Sequence, residues 1–220
     1  MTKSVIMTSA TAVAAPQGLW FVSRGSGLVL LVLLSTVMVL GAATQAGWAP
    51  RHWPRFVVAD LHRTLSLFAV ALLVLHVLTA ILDRYVTIGW AATVIPFLSP
   101  YRRLAIGLGT VAADIGAAVL LTSVLRSRLG FRSWRMVHWL AYLGWPATVV
   151  HTLTAGNDMR TGWVAVLVLG CAVTVTTSMF ARLATARHRP RTAASPAEFP
   201  RPAAGAGRDL RAPARSEARQ

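Results

Sequence analysis

Five apolar stretches divide the chain, separated by short polar or basic segments: Gly27–Ala43, Leu61–Leu82, Leu104–Val124, Val137–Leu153 and Trp163–Phe180. Each runs for roughly 17 to 22 residues, so at ~1.5 Å per residue each matches the ~30 Å hydrocarbon layer of a bilayer. Backbone in lipid must satisfy its own hydrogen bonds, which restricts such stretches to helices. The pattern therefore predicts an all-α integral membrane fold, a bundle of about five transmembrane helices.

The first stretch resembles the apolar part of a signal peptide, with small residues at Gly41–Ala46. Its lead of about 24 residues and its apolar run are both too long for a typical one, so it is read as a helix. Tyr85–Pro100 is also apolar, but it is too short to cross and is interrupted by Pro96 and Pro100. It is expected to form an interfacial or re-entrant cap, with Trp90 near the headgroups. The expected organisation is a 1–24 lead outside the membrane, a 25–184 transmembrane domain and a 185–220 tail. That tail is rich in Ala, Pro and Arg and lacks aliphatic periodicity, so it is expected to be disordered.

Composition agrees with this reading. Hydrophobic residues make up 55% of the chain and charged residues only 13%, where a soluble domain carries about a quarter charged. The formal charge of +15 raises the question of nucleic acid. The basic residues, however, gather in the tail and between apolar runs, where membrane topology accounts for them, and no nucleic-acid partner is expected. With the C-terminus in the cytoplasm, sixteen Lys and Arg lie inside against six outside, and five spans then put the N-terminus outside. A bacterial-type plasma membrane fits this arrangement. The single cysteine, Cys171, lies in an apolar run and is read as packing.

Four histidines change the picture. His62 and His76 belong to the second span and His138 and His151 to the fourth, at separations of 14 and 13 residues. Each pair covers ~20 Å along a helix axis. Both spans start from the same side, so His62 falls level with His138 and His76 with His151. Intramembrane histidines are uncommon and need partners. Two couples, one near each membrane face, are a scaffold for two stacked b-type haems held between the second and fourth helices. Histidine on both sides of the iron leaves no open position, which suits electron transfer. Two-histidine pairs without Cys, Asp or Glu at their depth make poor tetrahedral zinc sites.

One feature departs from an ideal helix. At 100° per residue, His76 comes within ~40° of His62, but His151 is left ~140° from His138. Pro146 lies between the latter two, and a kink or local unwinding there is the expected means of re-aiming His151. Arg63 follows His62 directly and Arg135 precedes His138 by three positions, so both are candidates to pair with haem carboxylates. Arg84, Arg102 and Arg103 are the candidates on the outer side. Asp114, near the middle of the third span, either relays protons or fixes a neighbouring helix, and the structural role is favoured. Trp134, Trp139, Tyr142 and Trp145 crowd the fourth span as possible haem walls or ordinary packing. His52 and His188 lie outside the spans and are assigned to neither iron.

With its four histidines, the basic segments before each histidine helix and the run Leu61-His62-Arg63, the chain resembles the ferric reductase-like transmembrane domain over roughly residues 20–185. That domain is shared by ferric reductases, the membrane part of NADPH oxidases and the haem subunit of methionine sulfoxide reductase systems. The resemblance implies bis-histidine b-haems that pass single electrons across the bilayer. Many members have six helices; this chain is expected to lack the first, in keeping with an outside N-terminus. Members that act alone append a flavin- and nicotinamide-binding module, which the Ala/Pro/Arg-rich residues after the last helix cannot form.

The expected protein is thus the haem-containing component of a transmembrane oxidoreductase. Its donor would be a separate flavoprotein, a ferredoxin or quinol, and its acceptor would lie outside. Two other readings stay open: a quinone-linked cytochrome b anchor subunit of a dehydrogenase, and a non-haem transporter or assembly anchor whose histidines form protonatable or structural hydrogen bonds.

Overall fold

The computed structural model describes residues 15–83, 88–156 and 162–188, and every regular element among them is helical. The order is α1 (Ala15–Ala46), α2 (Arg55–Leu82), a 3₁₀ turn (Trp90–Thr93), α3 (Arg103–Val124), α4 (Arg126–Leu129), α5 (Phe131–Trp139), α6 (Ala141–Ala155) and α7 (Gly162–His188). Four of these helices, α1, α2, α3 and α7, are long and apolar enough to cross a membrane. The predicted fourth span is the exception. It is divided at Leu140 into α5 and the 15-residue α6.

Helix α1 is the centre of the bundle. It packs along α2 on one side and against α7 and α6 on the other, while α3 rests on α6 and α5. Leu31 is fully buried and forms a core with Val164 and Val168 of α7, closed by Leu28, Val149, Leu153 and Cys171. Cys171 is therefore a packing residue, as its apolar setting suggests. Large apolar side chains elsewhere point outward, among them Phe56, Phe68, Leu104, Val166 and Phe180, each more than 60% exposed. Such a surface suits lipid and would be a liability in water.

The break at Leu140 differs from the expected kink at Pro146, which sits inside a continuous α6. Around Leu140 the hydrogen bonds shorten to three-residue steps, Leu140 N–H to Val137 O and Leu143 N–H to Leu140 O, each 2.9 Å. A tightened residue turns ~120° rather than 100°. This is the sense of rotation that narrows the ~140° offset between His138 and His151. Gly130, at φ 76°, makes the preceding corner between α4 and α5, a backbone region that disfavours residues with a Cβ.

Two predicted boundaries also move. Helix α1 starts at Ala15 rather than near residue 25, which draws Ser23 and Arg24 into the helix. Helix α7 continues to His188, past the predicted start of the tail at Thr185. Residues 189–220, and with them most of the expected tail, lie outside the described residues, as do Arg84, Tyr85 and Arg160. The described part of the cap carries Trp90, 64% exposed, and is fastened to α3 where the Thr110 hydroxyl donates to Ala92 O at 2.8 Å.

Candidate functional site

The fold brings the four histidines together in two couples. His62 and His138 have ring centroids 6.4 Å apart with planes at 64°. His76 and His151 are also 6.4 Å apart, at 84°. The couples sit at the two ends of α2, ~20 Å apart along its axis. Because His138 of α5 pairs with His62 and His151 of α6 with His76, the α5–α6 segment spans both levels despite its break.

Three of the rings are fixed in one way. Val37 O accepts from His62 Nδ1 at 3.0 Å, Ser23 O from His76 Nδ1 at 2.8 Å and Ala105 O from His151 Nδ1 at 2.8 Å. A carbonyl only accepts, so each Nδ1 carries the proton and each Nε2 keeps its lone pair. Four residues after each carbonyl stands a glycine: Gly41, Gly27 and Gly109. A helical carbonyl points toward residue i+4, where a Cβ would crowd an incoming side chain. A Cβ on Gly27 would lie 2.9 Å from His76 Cε1, on Gly109 2.7 Å from His151 Cε1 and on Gly41 3.3 Å from His62 Cε1. The three glycines are what let an imidazole share a carbonyl already used by its own helix.

The 6.4 Å separation of each couple is compatible with a metal ion between its two imidazoles. With a metal–imidazole bond of about 2 Å and a ring nitrogen roughly 1 Å from its centroid, two rings on opposite sides of one ion have centroids about 6 Å apart. Ligating histidines commonly donate the other ring N–H to a backbone carbonyl, which fixes tautomer and orientation. Among the described residues no three His, Cys, Asp or Glu side chains converge, so each level offers a pair of imidazoles rather than a tetrahedral set.

The two ends differ in space. His76 and His151 line a cavity of about 230 Å³ together with Arg24, Leu73, Asp83 and Tyr101, larger than the ~150 Å³ void that takes a benzene ring. At the other end, the cleft beside His138 is about 10 Å³, bordered by Gln45, Trp134, Arg135, Trp139, Tyr142 and Arg182. His138 stacks on Trp134 with centroids 5.0 Å apart. Its buried Nδ1 has no hydrogen-bond partner among the described residues.

A family model described as ferric reductase like transmembrane component matches residues 26–149, more than half of the 220 residues. The chain belongs to this ferric reductase-like family. Comparison with curated proteins and with solved structures returned no match. Within the ferric reductase-like segment fall His62, His76, His138 and the three glycines, while His151 lies two residues beyond its end.

Of the arginines singled out for haem carboxylates, Arg135 is exposed and borders the cleft at His138, with its guanidinium 6.0 Å from the Phe131 ring centroid. Arg63 is exposed beside His62 on α2. Arg102 caps α3 in a left-handed conformation, φ 39°, and donates to Thr154 O at 2.9 Å, tying the start of α3 to the end of α6. Arg103 donates to Phe97 O at 2.6 Å within the cap. Asp114 stands on an exposed face of α3, and His52 is exposed between α1 and α2.

Sequence reasoning missed Arg24, which it placed in the lead. In this ferric reductase-like chain Arg24 lines the cavity and lies 5.3 Å from the Trp20 ring centroid. It also missed the glycines, although a signal was present. Gly27 and Gly41 are 14 residues apart, the spacing of His62 and His76 on the antiparallel neighbour. Trp145 was expected to wall a haem or pack. Its Nε1 donates to Ser35 Oγ at 3.0 Å, joining α6 to α1 between the two histidine levels.

Proposed function

We propose that this protein is a membrane b-type cytochrome that carries single electrons across the bilayer through two bis-histidine haems. The observation that carries the proposal is the equal 6.4 Å separation of the two couples, joined to membership in the ferric reductase-like family. When bound, the haems supply a one-electron couple at each end of the path. His62 and His138 would hold the inner haem, and His76 and His151 the outer one. The Nδ1–H bonds to Val37, Ser23 and Ala105 hold the neutral tautomer and raise the donor strength of Nε2.

The apolar helices keep water from the path. Arg24, on the wall of the larger cavity, is placed to pair with an outer haem carboxylate, and Arg135 and Arg63 with those of the inner haem. The inner end faces the cytoplasm, where a separate flavoprotein, a ferredoxin or membrane quinol delivers electrons. The outer end passes them to an external acceptor.

A reduced-minus-oxidised absorption spectrum of the purified protein, with haem per polypeptide found by extraction, tests the proposal. Sharp low-spin b-type bands at two haems per chain are expected. A protein purified from haem-replete cells with no haem would overturn the cytochrome reading.

A further inference from the structure

Helix α3 carries a carboxylate halfway across the bundle, on a face that the described residues leave open. Ile115 packs on Gly144, where a Cβ would lie 3.0 Å from its Cγ2, and Gly144 is six residues after His138 and seven before His151. The adjacent Asp114 is thus midway between the two histidine levels. It is exposed and makes no hydrogen bond or ion pair with the described residues. The spans bring it no cation: α6 has no Lys or Arg, and Arg24 of α1, Arg63 of α2 and Arg182 of α7 stand at the histidine levels. Carboxylates within a bilayer face a protein interior or an aqueous cavity, or pair with one another.

The surroundings of Asp114 have the form of a helix-pairing seam. Asp114, Ala117, Leu121 and Val124 follow at intervals of three, four and three residues, the spacing that keeps one stripe of a helix against a partner helix. All four are exposed, Leu121 at 59% and Val124 at 73%. Toward the outer side the same stripe is already covered, because Phe97 of the cap lies on Gly107 and Thr110 donates to Ala92 O at 2.8 Å. Helix α3 itself is at the edge of the bundle, resting on α6 and α5. The small side chain of Ala117 lets a second helix come close beside the carboxyl.

We propose that a second copy of this chain covers the seam, with α3 against α3 about a two-fold axis along the membrane normal and Asp114 against the partner's Asp114. Copies share one orientation in the membrane, so such an axis brings residues of equal depth together. A protonated carboxyl both donates and accepts, so the two side chains satisfy each other without a third group. A single polar residue in an apolar seam also fixes the register of the pair and the number of helices in it. This inference is independent of the haem reading above.

The test uses the full-length protein in lipid vesicles. In a Cys171→Ala background, Ala117→Cys is expected to give a disulfide-linked dimer on mild oxidation, whereas Val173→Cys, at a position of α7 that is 56% exposed, is not. Stepwise photobleaching of a C-terminal fluorophore at low protein density is expected to count two copies. Dimerisation should weaken roughly tenfold in Asp114→Leu and persist in Asp114→Asn, whose amide also donates and accepts. A chain that stays monomeric at every density overturns the inference, as does a cross-link at Val173→Cys that equals or exceeds the one at Ala117→Cys. Equal dimerisation of Asp114→Leu and the unaltered protein overturns it too. If Asp114→Leu does not fold, the cross-link decides.

Discussion

The imidazole of His76 lies against Gly27, where a Cβ would come within 2.9 Å of its Cε1 and 3.2 Å of its Nδ1. The first distance is shorter than real Cβ contacts and the second is tight, so Gly27→Ala is expected to shift the ring relative to Ser23 O, its 2.8 Å acceptor. The expected outcome is loss or broadening of the outer-haem bands, with the inner haem retained. Gly116→Ala, at a position where a Cβ meets nothing within 4 Å, leaves the spectrum unchanged. Equal spectra for the two variants would show that the glycine is not what seats His76.

Removal of either outer histidine should act on one couple alone. His76→Ala or His151→Ala is expected to lower extracted haem from two to one per chain and to stop electron exit, with the bands of the inner haem preserved. Loss of all haem in every single variant would point instead to one shared site or to cooperative assembly.

The hydrogen bond from Trp145 to Ser35 couples α6 to α1, and Ser35 is only 5% exposed. Interhelical hydrogen bonds in membrane proteins are worth on average ~0.6 kcal/mol and at most ~1.7. A double-mutant cycle with Ser35→Ala and Trp145→Phe, read by unfolding in detergent, is expected to give a coupling energy in that range. A coupling of zero would mean that the two side chains do not hold the helices together.

Arginine placement predicts the orientation. Arg51, Arg55, Arg63, Arg126, Arg128, Arg132, Arg135 and Arg182 cluster at the His62/His138 end, against Arg24, Arg102 and Arg103 at the other. By the positive-inside rule the first end is expected in the cytoplasm. In a Cys171→Ala background, Ser127→Cys should react with an impermeant thiol reagent only after the membrane is opened, and Ala91→Cys, in the cap, in intact cells. The reverse pattern would invert the direction of electron flow.

Much of the architecture is written in one dimension. Runs of apolar residues mark the membrane traverses, because a helix in lipid needs only length and apolarity. Spacing alone also puts His62 level with His138 and His76 level with His151, since depth is the residue count times a fixed rise. The face each histidine presents is a different quantity. It depends on every residue between the pair being α-helical, and the tightened turn at Leu140, not Pro146, is where that condition fails. Only packing between helices could decide that the Val37, Ser23 and Ala105 carbonyls receive the imidazoles, that Arg24 reaches a cavity wall and that His138 Nδ1 has no acceptor among the described residues. Those outcomes turn on a few ångströms between side chains far apart in the chain, which periodicity along a single helix does not encode.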